Sequence, residues 1–286
     1  MYSPRIIATL VIRNGHHVQS LGFKHYLPVG SPAESAREYD RWGVDEIVLI
    51  LTNDSGENAR HIISSVADAI AVPLTVAGGI RTLWDAHNYL SWGADKVALN
   101  HVLVEQPDIA TAVAHQFGSQ CLVASVDVWR TGNKLFRYDH WLHSASSVEL
   151  LDWIHQKIGA GAGEILLNFP QHDGMRIGMD SEAISQVVQD VGAPVIACGG
   201  IGTVQHAVDC LRTANPSGIA IGNVLAHFEQ SILLFKEGIK TAGAEIRAAV
   251  KATYNSHRFD PRGCPEKLDD AKLDELLFHR IEPELI

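Results

Sequence analysis

Leu74-Thr75-Val76-Ala77-Gly78-Gly79-Ile80 and Val195-Ile196-Ala197-Cys198-Gly199-Gly200-Ile201 decide how this chain is read. Each is a short β-branched apolar run closed by a glycine pair, and the two lie about 120 residues apart. Gly43-Val44-Asp45-Glu46-Ile47-Val48-Leu49-Ile50 echoes Gly161-Ala162-Gly163-Glu164-Ile165-Leu166-Leu167-Asn168 at nearly the same spacing, and Ile6–Val11 echoes Leu122–Asp127. Three matches in one order imply a half-chain that was duplicated and fused.

Runs of the same kind occur at Arg5–Ile12, Asp45–Leu51, Leu74–Gly78, Lys96–Asn100, Cys121–Asp127, Glu164–Asn168, Val195–Gly199 and Gly218–Gly222. Amphipathic segments separate them. Alternating strands and helices predict a parallel sheet, and eight units predict a closed (β/α)8 TIM barrel with a two-fold half-barrel repeat. Helix punctuation agrees. Ser31-Pro32 reads as an N-cap followed by proline at the first helical position, and Gly43, Gly93, Gly118, Gly159 and Gly192 read as C-terminal caps. No Gly/Ser-rich linker intervenes, so residues 1–247 are expected to form one barrel. Residues 248–286 are then a C-terminal extension packing on it, with a loop over Asn255–Pro265 and a short amphipathic helix over Asp269–Ile281.

The bulk numbers exclude several classes. A net charge of −10 argues against a nucleic-acid surface, and any anionic substrate then needs a local site. Ile6–Ile12 is too short to span a bilayer and is bracketed by Arg5 and Arg13. Cys121, Cys198, Cys210 and Cys264 form no CxxC pair, so reduced thiols in a cytoplasmic protein are expected. His16 and His17 in the first βα loop, with His140 and His143 after a predicted hairpin over Val128–Ser144, show no carboxylate–histidine pattern, and neither a metal nor a cofactor is expected.

Barrel chemistry sits at the C-terminal ends of the strands. Gly78-Gly79 and Gly199-Gly200 end strands three and seven, and Asn100-His101 and Gly222-Asn223 end strands four and eight. Such glycines either let backbone N–H groups approach a phosphate or only permit tight turns. On the first reading the repeat places two phosphate sites on opposite sides of the mouth. Asp127 ends strand five and is a candidate general acid or base, while Val11 stands at the matching end of strand one. Asp173-Gly174 is a second candidate for proton transfer, or a plain Asp-Gly turn. Arg5, Glu46, Lys96 and Glu164 lie near the beginnings of strands and sum to zero charge. They are either solubilising strand-end charges or an inward salt-bridged ring closing the floor.

On Arg5-Ile-Ile-Ala, Gly43-Val-Asp-Glu-Ile-Val, Ala77-Gly-Gly-Ile, Gly93-Ala-Asp-Lys-Val, Phe117-Gly-Ser-Gln, Gly161-Ala-Gly-Glu-Ile-Leu-Leu and Cys198-Gly-Gly, the chain resembles the cyclase subunit family of imidazole glycerol phosphate synthase over roughly residues 4–245. The resemblance implies a glutaminase subunit at the barrel floor and ammonia passing through the barrel to a phosphorylated small-molecule substrate. It implies that Arg5, Glu46, Lys96 and Glu164 form the ammonia gate and that Asp95 docks the partner. It further implies phosphate binding at Gly78, Gly79, Asn100, Gly174, Gly199, Gly200, Gly222 and Asn223. The mouth departs from the family pattern: Val11 and Leu51 replace aspartates, Gln19 replaces a lysine, and Met175 replaces a threonine. Asp127, Asp173 and Gly174 match it. The expectation is an ammonia-channelling subunit with a depleted cyclase site. It resembles the paralogues that work with a sugar amidotransferase to form acetamidino sugars of surface polysaccharides. The alternatives are a genuine cyclase-lyase of histidine biosynthesis and a scaffold that only binds the glutaminase.

Overall fold

The structure is a computed structural model that describes residues 3–139, 144–248 and 266. In chain order the elements are β1 (Arg5–Arg13), β2 (His16–Leu21), β3 (His25–Gly30), α1 (Pro32–Arg41), β4 (Glu46–Leu51), α2 (Gly56–Ala67), β5 (Leu74–Ala77), α3 (Leu83–Ser91), β6 (Lys96–Leu99), α4 (Val102–Glu105) and α5 (Ile109–Phe117). The second half holds β7 (Leu122–Thr131), β8 (Lys134–Asp139), β9 (Ser144–Glu149), α6 (Leu150–Gly159), β10 (Glu164–Asn168), α7 (Ser181–Asp190), β11 (Val195–Cys198), α8 (Val204–Thr213), β12 (Gly218–Ile221) and α9 (Ser231–Thr241).

Eight parallel strands close into a ring in the order β1, β4, β5, β6, β7, β10, β11, β12 and back to β1. This is the (β/α)8 barrel that the alternating runs predict. Two antiparallel additions decorate its mouth. β2 and β3 form a hairpin on the upper end of β1, and β8 and β9 extend β7. The loop expected over Asn255–Pro265, the helix expected over Asp269–Ile281, and His140, His143 and Cys264 lie outside the described residues. Among the described residues no helix is long and apolar enough to cross a membrane, and Cys121, Cys198 and Cys210 are free.

Period-two alternation assigns every strand residue to the barrel lumen or to the helix layer. Ile6, Ala8, Leu10, Ile47, Leu49 and Leu51 belong to the outer core beneath the helices. Ile7, Val48, Ala77, Ala98, Val123, Leu166, Ile196 and Ala220 form one apolar layer inside the barrel. Leu51, which stands where the family has an aspartate, therefore keeps its side chain out of the mouth. Its side chain lies in the outer core, and Val11 with Ile50 presents hydrocarbon to the mouth instead.

Helix boundaries follow the predicted caps with two exceptions. The Ser31 side chain accepts from the Glu34 N–H, with Pro32 opening α1. Gly43, Gly93 and Gly118 sit at positive φ after their helices. Gly159 instead ends α6 in helical geometry, and the left-handed residue is Gly161 two positions on. α7 stops at an extended Val191, so Gly192 needs no special backbone. The first βα connection also differs: His16 and His17 lie in β2 rather than in a loop. They point to opposite faces, which prevents their converging on one ion. His17 packs under α1, its Nδ1 2.9 Å from Ser35 Oγ, and burial pushes its pKa down to about 4.

The barrel is stitched at its floor where the chain closes. Lys236 on α9 donates to Asp45 Oδ1 at 2.9 Å, and the Asp45 Oδ2 atom accepts from the Ile6 N–H at 2.7 Å. The Arg247 N–H reaches the Pro4 carbonyl at 3.0 Å.

Candidate functional site

At the N-terminal ends of β1, β4, β6 and β10 the four charged residues turn inward and alternate in sign around a closed ring. Arg5 Nη1 lies 2.7 Å from Glu46 Oε2, and Arg5 Nη2 contacts Glu164 Oε1. Lys96 Nζ lies 3.0 Å from Glu46 Oε1 and 2.9 Å from Glu164 Oε2. Thr75 Oγ1 adds a donor to Glu46 at 2.8 Å. Glu46 is 2% exposed, so the arrangement is a buried collar and not strand-end solvation. Thr75 carries no charge, and only its inward register beside Glu46 could have signalled it. Asp95 sits exposed at the same end, its Oδ2 accepting from the Leu74 N–H at 2.8 Å.

Above the collar lies the single apolar layer, in which Ala77, Ala98 and Ala220 are small. A mouth cavity of about 400 Å³ descends from the other end and reaches Ala77, Ala98 and Leu166. Ala98 follows Lys96 by two residues, so floor and cavity are separated there by about 7 Å of strand.

The upper lumen is polar on the second-half side. Asp127 is buried and accepts from Asn100 Nδ2 at 2.8 Å. Asn168 Nδ2 donates to Ser125 Oγ at 3.0 Å. β7 runs on through Val128–Thr131, so Asp127 ends the barrel portion of that strand and not the strand itself. Trp129 stacks on Tyr138 across the β7–β8 turn, with ring centroids 5.1 Å apart. Burial, followed by the nearby Asp127 and Asp139, holds the Tyr138 phenol protonated above its usual range. Cys198 borders the cavity beside Thr9, and burial raises its thiol to about 12, so it remains neutral.

Asp173 and Asn223 grip the β2–β3 hairpin. Ser20 Oγ donates to Asp173 Oδ2 at 2.7 Å, and the Phe23 N–H reaches the same oxygen at 3.2 Å. The Ser20 N–H donates to Asn223 Oδ1 at 3.1 Å, and Asn223 Nδ2 returns to the Ser20 carbonyl at 2.5 Å. Gly174 is required here: a Cβ would lie 2.6 Å from the Ser20 carbonyl oxygen, at φ +70°. Burial raises the Asp173 pKa against the lowering effect of these donors. The sequence shows Asp173 as a site candidate but not the hairpin it holds, because the two lie far apart in the chain. Gly199, Gly200, Gly222 and Asn223 cluster at this second-half pole with Arg176, whose guanidinium contacts His227 Nε2. His206 Nδ1 accepts from the Gly202 N–H at 3.2 Å. Gly78 and Gly79 lie across the mouth at the first-half pole.

Fold and site together define a (β/α)8 barrel with a charged floor and a mouth cavity narrowed by a single apolar layer. The chain belongs to the family described as "Histidine biosynthesis protein", whose model matches residues 5–232. It is 35% identical over 268 residues to "Putative imidazole glycerol phosphate synthase subunit hisF2" of Vibrio vulnificus (strain YJ016), covering 93% of this chain and 98% of that protein. It is 33% identical over 251 residues to "Imidazole glycerol phosphate synthase subunit HisF" of Streptococcus mutans, covering 86% of this chain and 100% of the relative. The protein of the same name from Gluconacetobacter diazotrophicus is 35% identical over 252 residues, or 86% and 97% of the two chains.

Proposed function

We propose that this chain is the ammonia-conducting barrel subunit of a glutamine-dependent synthase. A glutaminase subunit docks at the floor around Asp95, and the collar of Arg5, Glu46, Lys96 and Glu164 acts as the gate. The observation that carries the reading is the alignment of three features: a buried alternating collar, alanines in the layer above it, and a cavity that descends to those alanines. Ammonia is small and neutral, and a lumen lined by methyl groups neither holds it nor protonates it.

At the mouth, Gly174, Gly199, Gly200, Gly222 and Asn223 bind a phosphate with help from Arg176, and Asp127 is the retained proton-transfer group. Val11 cannot relay a proton, so the acceptor of ammonia differs from that of a full cyclase. The rim supports delivery into a further partner: Leu27, Met175 and Ile177 are each more than half exposed beside Phe23. An amidotransferase acting on a sugar, as in acetamidino-sugar formation, fits such a rim.

The second reading is a working imidazole glycerol phosphate cyclase. The names of the relatives favour it, as does the buried, hydrogen-bonded Asp127. Purified protein given ammonium and the bisphosphorylated precursor of imidazole glycerol phosphate separates the two. Loss of one positioned acid or base predicts a rate lower by ~10²–10⁴-fold than that of the Streptococcus mutans relative. A rate matching that relative would establish the cyclase reading instead.

A further inference from the structure

A groove of about 470 Å³ runs down the outside of the barrel between α1 and the connection from β12 to α9. Tyr39 and Leu225 are buried beneath it, and Val29, Trp42, Ala226 and Phe228 line it above them. Its rings are held in place from below. Trp42 leans on Tyr39 with centroids 5.8 Å apart, and Phe228 stacks on Phe235 of α9 at 6.4 Å. Both stay partly exposed, and Val29 is 39% exposed. Glu34 and Glu38 on the α1 side are each paired one turn along the same helix, with Arg37 and Arg41. That wall therefore presents hydrocarbon rather than free charge, the surface on which an apolar partner gains by excluding water.

The chain leaves the barrel at the foot of this groove. α1 and α9 both run from mouth to floor, ending at Arg41 and Thr241. Ala244 and Ile246 then pack on the outer core, and the Arg247 N–H bonds the Pro4 carbonyl under β1. Residues 249–286 start from that point. Among them Leu273, Leu276, Leu277 and Ile281 recur at the spacing of one apolar helical face. Residues 249–268 reach ~60 Å when extended, against ~15 Å for the length of α1, so the connection is ample. A helix of that size is marginal in water unless its apolar face finds a cover.

We propose that Asp269–Ile281 docks in this groove, its leucine face on Val29, Trp42 and Phe228. There it bridges the end of the β2–β3 hairpin to the β12–α9 connection. Asp173 and Asn223 hold that hairpin from inside the mouth, and the docked segment braces it from outside. The extension is thus a built-in clamp on one wall of the mouth, whatever the mouth binds.

Hydrogen exchange on the full-length chain tests this. Leu273→Asp combined with Leu277→Asp should accelerate exchange in residues 26–30 and 225–229 about tenfold and leave the β4 amides unchanged. Cross-linking gives a second readout in a Cys264→Ser background. Val29→Cys with Leu277→Cys should be joined within one chain by a short bis-maleimide at least tenfold faster than Thr111→Cys with Leu277→Cys, since Thr111 is exposed on α5, away from the groove. Exchange unmoved in both groove segments overturns the proposal. So do equal cross-linking rates from Val29 and Thr111, which mean an undocked tail, and cross-links that join two chains, which mean a second copy in the groove.

Discussion

Replacing Glu46 by alanine removes the acceptor of three donors at once: Arg5 at 2.7 Å, Lys96 at 3.0 Å and Thr75 at 2.8 Å. Two cations then face Glu164 alone in a site where the lost carboxylate was 2% exposed. Removing one partner of a buried ion pair costs about 3–5 kcal/mol, mostly because the remaining charge stays desolvated. In a barrel of this size each kcal/mol is worth about 2–4 °C, so thermal unfolding followed by circular dichroism should fall by about 10 °C. Arg37→Ala provides the contrast. Its pair with Glu34 is largely solvated, and such pairs contribute only about 0.2–1 kcal/mol. Replacing all four collar residues by Met and Leu should restore much of the lost stability, because no charge is left unpaired. Glutamine-driven transfer in complex with the glutaminase should nevertheless be lost in that quadruple variant. An Glu46→Ala protein that melts within the range of Arg37→Ala would refute the buried collar.

Three further outcomes follow from particular residues. His17 is held neutral with its pKa near 4 against an ordinary 6.5, so its contribution is full above pH 6.5 and is lost as pH falls through 4. The loss amounts to about 3 kcal/mol over that window, and denaturant titrations of His17→Asn should show a flatter acid limb. Gly78→Ala meets both a carbonyl oxygen at 1.9 Å and a φ of +89°, and soluble expression should collapse, whereas Gly132→Ala in an open turn should cost about 1 kcal/mol. Asp173→Asn weakens the grip on the Ser20 hydroxyl and the Phe23 N–H, and hydrogen exchange at the Phe23 amide should accelerate by about tenfold while the β4 amides stay protected.

The barrel was legible because eight apolar runs and a duplicated half are one-dimensional signals. The collar was legible only as four charges of balanced sign; their closure depends on register between strands far apart in the chain. The outward turn of Leu51 was legible from alternation alone: Glu46, Val48 and Ile50 share one face, which sends Leu51 to the other. The β2–β3 hairpin went unread because Gly22-Phe23-Lys24 is a weak turn and Pro28 argues against a strand.

The seam between β1 and β12 has a consequence for how the chain is made. Arg5 pairs with Gly218, so the first strand waits for more than 210 further residues before its second edge is covered. During synthesis that edge of Ile6, Ile7 and Ala8 stands open to other chains, the situation in which misassembly and aggregation compete with folding. The Lys236–Asp45 tie and the Arg247–Pro4 bond can form only afterwards. The ring cannot close until β12 has left the ribosome, so the early strands pass that interval with one row of backbone groups unmatched.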